Sequence, residues 1–314
     1  MNKLHIAVFV LLLTGIVQAD QPATRPVEAV RHVLIISIDG LRPDLLLRGP
    51  APTLRGVLDS SSYTFWARTV KEAYTLPSHV SMLTGVVPDR HGVTWNNYIE
   101  DAYPNVPTLF ELAKKSGQTT AMIAAKMKFI ALAKPGTLDW KFIADETKGD
   151  ERSRDRDAGQ NAVAILREHQ PNVCFVHLAE VDVTGHASGW GSPEQAAALG
   201  RIDAIIATIV AAEKETNLAD STVTIITADH GGSGRDHGPD DPRAAHIPWI
   251  VFGPGIRRNY DLTRNKDLIV NTEDTFATTC YLLAIPLPSG LDGKPVIDIF
   301  DHTELLQPSG RKGN

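Results

Sequence analysis

An open, mostly parallel α/β sheet with helices on both faces is the fold class this sequence predicts, and three observations predict it. Apolar runs of strand length recur along the chain with helical patterns between them. Three of these runs are followed closely by an aspartate, at the strand ends where open α/β sheets bind their ligands. No internal repeat or low-complexity linker divides the 314 residues, so a single compact domain without a large cap is expected.

In chain order, strands are expected at residues 33–38, 119–124, 173–178, 223–227 and 249–252, each a short apolar run. A helix is expected over 107–116, stopped by Gly117. Residues 146–157 (ETKGDERSRDRD) are nearly all charged and read as a solvated loop leading into a helix over 158–168. Ser192-Pro193-Glu194-Gln195 offers an N-cap, a proline at the first helical position and a capping box, opening a helix that runs on to residue 215. A last helix is expected over 274–283.

The composition, 43% hydrophobic and 22% charged, excludes collagen, coiled coil and wholesale disorder. Thirty-one basic against 37 acidic residues give a net charge of −6 with no basic stripe, so nucleic acid is not expected as a partner. The chain starts with Lys3, an apolar stretch over 6–13, and Val17-Gln18-Ala19 before Asp20. These are the marks of a signal peptide over residues 1–19, leaving 20–314 as the mature domain. The stretch is shorter than the roughly 20 residues of a span. Export to the periplasm or beyond, with no membrane span after cleavage, is therefore expected. Cys174 and Cys280 lie in apolar contexts as small core residues, although export would permit them to pair.

The chemistry gathers at the strand ends. Asp39 follows VLIISI, Asp182 follows VCFVHLAEV and Asp229 follows VTIITA, so three carboxylates converge on one crevice. Asp182 and His186 form a ligand pair four residues apart, and Asp229-His230 form one side by side. Carboxylate oxygen mixed with imidazole nitrogen suits zinc, or manganese or iron. Thr75, in Tyr74-Thr75-Leu76-Pro77-Ser78-His79, stands where a helix starts, beside free N–H groups that favour an anion. Taken alone Thr75 would be an N-cap; beside the acidic and histidine motifs it reads as a nucleophile.

The order of IDGLRPD, YTLPSHVSMLTGVVPDRHGV, EVDVTGH, TADHGG and a following His-Gly resembles the alkaline phosphatase superfamily, and most closely its type I phosphodiesterase and nucleotide pyrophosphatase branch. The resemblance runs from about Val33 to Val296 and includes a closing helix over 274–283 and a strand over 291–296. It implies an alkaline-phosphatase-like catalytic domain with two zinc ions. Asp39, Thr75, Asp229 and His230 would hold one, and Asp182, His186 and His237, with His246 as the alternative, the other. It also implies that Asn96, with Asn97 as the fallback, holds a phosphoryl oxygen, and that Lys126 touches the phosphate. The family's Lys-x-Arg step is Lys126-Met127-Lys128 here and lacks the guanidinium fork.

Together these readings predict an exported hydrolase of small phosphoric esters, a phosphodiesterase, nucleotide pyrophosphatase or alkaline-type phosphomonoesterase, acting through a phosphothreonine on Thr75. An open cleft with broad tolerance is expected, and Tyr74, Trp95, Tyr98, Phe129 and Trp190 are candidates to stack on a leaving group. A sulfatase of the superfamily would carry Cys or Ser at position 75, arginine in place of His79 and an acid in place of Gly40. A phosphonate hydrolase shares the metal frame and stays open. A noncatalytic exported metal-binding module would be marked by loss of the nucleophile or a ligand, and neither is lost.

Overall fold

The structure is a computed structural model that describes residues 24–239 and 241–301, so the expected signal peptide lies outside the described residues. Its strands are β1 (His32–Ile38), β2 (Ser61–Arg68), β3 (Thr120–Ala124), β4 (Trp140–Ile143), β5 (Val173–Leu178), β6 (Thr222–Thr227), β7 (His246–Phe252) and β8 (Tyr260–Asp261). They form one sheet in the order β4-β3-β5-β1-β6-β7-β2-β8. β1 pairs in parallel with both β5 and β6, and only β7 runs against its neighbours. All five expected strands are present. The central three are buried along almost their whole length, which is why they read as unbroken apolar runs.

The helices are α1 (Pro43–Arg48), α2 (Pro52–Gly56), α3 (Thr75–Thr84), α4 (Pro88–His91), α5 (Leu109–Lys115), α6 (Glu151–Glu168), α7 (Glu180–Ser188), α8 (Pro193–Glu215), α9 (Pro242–Ala245) and α10 (Asp274–Leu283). α2, α6, α7 and α8 pack as one layer, and α3, α5 and α10 as the other. α8 is long and apolar enough by composition to cross a bilayer, with 44% of its most apolar window buried inside the fold.

Two expectations about elements need correction. The charged run over 146–157 is a loop only to Asp150, because the Asp150 carboxylate accepts the Ser153 N–H at 2.9 Å and starts α6 at Glu151, seven residues early. The segment over 291–296 forms no ladder. It is tied instead to α3 and α10, with Gly293 N–H donating to Gly85 O at 3.0 Å and Val296 N–H to the Thr278 hydroxyl at 3.0 Å. α8 starts as expected, with Ser192 accepting the Gln195 N–H at 3.2 Å. The Gln195 side chain does not close a capping box; it accepts from Gly191 N–H at 2.7 Å and donates to Val181 O at 3.1 Å, clamping α7. Cys174 and Cys280 are both buried and free.

Candidate active site

The carboxyl ends of β1, β5 and β6 lie side by side, so Asp39, Asp182 and Asp229 meet in one buried crevice. Asp182 and His186 ride on α7, whose start is held from outside. The buried Asp155 of α6 accepts the Ala179 and Glu180 N–H groups, each at 2.7 Å. α3 brings Thr75 to the crevice as its first residue, with Tyr74 rather than Thr75 at the cap position. The Thr75 hydroxyl is therefore not spent on capping, and its Oγ1 lies 3.5 Å from both Asp39 Oδ1 and His230 Nε2.

Donor atoms collect in two groups. His230 Nε2 lies 3.2 Å from Asp229 Oδ2, 3.4 Å from Asp39 Oδ1 and 4.0 Å from Asp182 Oδ1. Asp182 Oδ1 in turn lies 3.4 Å from His186 Nε2 and 3.7 Å from His237 Nε2. Ligands about 2.0–2.1 Å from a tetrahedral zinc stand roughly 3.3 Å apart, so these spacings fit a metal cage better than a hydrogen-bond network. Buried Asp182 Oδ1 and Asp229 Oδ2 have no hydrogen-bond partner among the described residues, which leaves their lone pairs for a cation. The sets Asp182/His186/His237 and Asp39/Asp182/His230 could each hold a metal ion.

Protonation states agree with that use. Burial lowers His230 to about 4, the stacked His237 ring adds to the effect, and the imidazole stays neutral. Burial pushes Asp39 up, but Lys126, His177 and His230 outweigh it and hold the carboxyl well below its ordinary range. Burial and Asp39 push Asp182 up, yet Lys126, His186 and His230 leave it ionised as well. Burial, then the charges of Asp39 and Asp182, drive Asp229 well above the ordinary range. Three carboxylates in this crevice do not all ionise unless a further cation joins them.

The other expected residues are placed as follows. His237 Nδ1 contacts Ala73 O at 2.7 Å and its ring stacks on His230, which brings it into the crevice. His246 starts β7 beside Arg68 and meets the Trp66 ring edge-on, outside both donor groups. Asn96 Oδ1 accepts from Leu76 N–H at 2.9 Å and from Lys128 Nζ at 3.1 Å. Both partners can only donate, so the amide orientation is fixed and Nδ2 has no protein acceptor among the described residues. Asn97 is exposed and reaches only Tyr98 O, at 3.4 Å. Lys126 is turned onto the carboxylates, with Nζ 2.7 Å from Asp39 Oδ2 and 2.6 Å from Asp182 Oδ2.

Sequence reasoning missed the layer beneath. His177, inside β5, lies with Nε2 2.9 Å from Asp39 Oδ2. His79 lies between Ser37 Oγ at 2.8 Å and Thr75 O at 2.7 Å. Both rings pack on Phe129, which is buried, as is Trp190, so neither of those aromatics offers a face to a leaving group. Tyr74, exposed and edge-on to His237, lines an open cleft of about 520 Å³ with Ser233, Asp236, Pro239, Asp241 and Arg243.

Known proteins share this frame. An uncharacterised pyrophosphatase/phosphodiesterase of Schizosaccharomyces pombe is 24% identical over 214 residues, covering 63% of this chain and 44% of the relative. Human ectonucleotide pyrophosphatase/phosphodiesterase family member 1 is 26% identical over 216 residues, covering 63% of this chain and 23% of the relative. The chain thus spans less than half the length of either. Among solved structures, murine ectonucleotide pyrophosphatase/phosphodiesterase 5, in an inactive form complexed with AMP, superposes with a TM-score of 0.73 at 15% identity. That match covers 86% of this chain and 100% of the other. A 2-O GAG sulfatase superposes with a TM-score of 0.67 at 16% identity, covering 85% and 73%. Both show the fold, which is that of the alkaline phosphatase superfamily. The type I phosphodiesterase/nucleotide pyrophosphatase family matches across residues 33–241, all three strand-end motifs and the Thr75 turn included, and the chain belongs to that family.

Proposed function

We propose that this protein is an exported two-zinc hydrolase of small phosphoric esters, with residues 1–19 as leader and 20–314 as catalytic domain. In this reading Thr75 attacks phosphorus in line and forms a phosphothreonine. The observation that carries it is Thr75 Oγ1 at the buried head of α3, 3.5 Å from donors of the first cage, with the second cage adjoining. Asp39, Thr75, Asp229 and His230 would hold one ion, and Asp182, His186 and His237 the other. Manganese or iron would fit the same donors. When bound, the ions supply a lowered hydroxyl pKa at Thr75 and charge compensation for the leaving oxygen.

The chain's own residues do the rest. The first turn of α3 fixes the Thr75 hydroxyl beside Asp39, and the start of α3 presents its dipole to the phosphoryl group. Asn96 Nδ2, its amide fixed by Leu76 and Lys128, is free to donate to a non-bridging oxygen as charge shifts onto it. The Thr75 hydroxyl releases its proton to solvent, the Oγ–P bond forms as the bond to the leaving oxygen breaks on the side of Asp182, His186 and His237, and the leaving group takes up a proton from solvent. Water entering from that side then splits the phosphothreonine and returns the hydroxyl. The leaving group would occupy the cleft beside Tyr74 and His237, which is open and sets few limits on shape.

A sulfatase fits less well. Gly40 has φ +71°, and a Cβ there would stand 2.9 Å from the Asp182 backbone, so a paired acid has no room. The test is hydrolysis of 4-nitrophenyl phosphate, bis-4-nitrophenyl phosphate and 4-nitrophenyl sulfate by zinc-loaded protein, before and after chelation. Chelator-sensitive turnover of a phosphate ester that Thr75→Ala abolishes is expected. Sulfate as the best substrate, or full turnover by Thr75→Ala, would overturn the reading.

A further inference from the structure

We propose that Trp190 is a positioning residue for the site, a role that rests on the reading of His186 and His237 as ligands. The chain leaves α7 through Gly189, at φ +103°, and turns back so that Trp190 N–H donates to Gly234 O at 2.8 Å. This places the indole, almost fully buried, between the three loops that carry the donor atoms.

Toward the β1 loop, Trp190 Nε1–H donates to Gly40 O at 2.9 Å. Gly40 N–H donates to Asp229 Oδ1 at 3.0 Å, so Gly40, next to Asp39, is held from both sides. Toward α7, the ring lies where a Cβ on Gly185 would come within 2.8 Å of it, and it meets His186 edge-on at 5.0 Å and 86°. Toward the β6 loop, it fills the space that a side chain on Gly232 would need and meets His237 at 5.8 Å and 69°. Carbonyls hold the far nitrogen of each histidine, Arg235 O for His186 at 2.9 Å and Ala73 O for His237 at 2.7 Å. Those bonds leave each ring free to swing about the axis that the indole blocks. The glycines at 185 and 232 are thereby explained together, as the surface against which one ring is seated.

The consequence is larger for one cage. Removing the indole loosens His186 and His237, whereas Thr75 and His230 keep their own supports in α3 and in the bond from His230 Nδ1 to Gly231 O. The test is Zn²⁺ titration of the full chain against a chromophoric chelator, for the wild type, Trp190→Phe, Trp190→Ala and His186→Ala. Trp190→Ala is expected to weaken one of two zinc equivalents by about tenfold or more, the usual cost of losing an outer support of a ligand. Trp190→Phe lacks the fused-ring edge that lies over Gly185 and Gly232, and with it the bond to Gly40, so a smaller loss in the same equivalent is expected. Should Trp190→Ala fail to fold, Trp190→Phe carries the test. Wild-type affinity for both equivalents in Trp190→Phe, whatever its melting temperature, overturns the proposal. If His186→Ala also retained both equivalents, the ligand reading itself would fall, which the Trp190 variants alone would not reveal.

Discussion

His177 points Nε2 at Asp39 Oδ2 across 2.9 Å while its Nδ1, buried, meets no partner among the described residues. Because the carboxylate can only accept, the proton sits on Nε2, and the bond pins one oxygen of Asp39 so that the other faces His230 and Thr75. His177→Ala should release that rotation. The expected result is a loss of about tenfold or more in affinity for one zinc equivalent, measured by chelator competition, with a parallel fall in kcat/KM.

Lys126 carries the only cation that reaches two of the crevice carboxylates among the described residues. Removing one partner of a buried ion pair costs on the order of 3–5 kcal/mol. Lys126→Met should therefore lower the melting temperature of the metal-free protein sharply and of the zinc-loaded protein much less, since zinc replaces the missing charge. If the lysine served the phosphate alone, KM would rise and both melting temperatures would stay near the wild type.

Glu213 on α8 is buried against the Thr224 hydroxyl, 2.8 Å away, and burial raises its carboxyl from 4.5 to about 7. Between those values the unfolded chain has released the proton that the folded chain still holds, so stability falls as pH rises and levels off above about 7. Glu213→Gln removes this slope. Thermal unfolding at pH 5 and pH 8 should show the variant gaining on the wild type at the higher pH; parallel curves would refute the assignment.

Gly40→Ala tests the turn after β1. A left-handed backbone at a non-glycine residue costs on the order of 1–3 kcal/mol, and the added Cβ would press on the Asp182 backbone at 2.9 Å. The variant should lose stability and, by shifting Asp182, weaken zinc binding, both read from one denaturation series with and without metal.

Much of this molecule was legible in its sequence, and what was not has definite causes. β1, β5 and β6 announced themselves because burial on both faces demands apolar residues throughout. β2 escaped because its Ser61-Ser62 start and irregular burial break the pattern, β4 because its Lys141 is exposed at the sheet edge, and β8 because it has two residues. The start of α6 was hidden by charge, since helix-starting carboxylates look like solvated loop until one sees which face is inward. Asp39, Asp182 and Asp229 could be found because each ends an apolar run. His177 could not, because a histidine inside a strand reads as core, and its target lies 138 residues away, just past the end of another strand. For Trp190 the sequence signals an aromatic near the motifs, a stacking candidate, and nothing of its buried seat against Gly185 and Gly232.

The grip of Asp155 on the first turn of α7 reaches further than the cap itself. On the outward side of α6, Gly159 and Val163 line a groove of about 760 Å³ shared with Ile205 of α8. A tilt of α6 would be handed through the Asp155 carboxylate to α7 and so to Asp182, bypassing the sheet. One carboxylate thus joins the helix layer behind the sheet to the turn that carries Asp182.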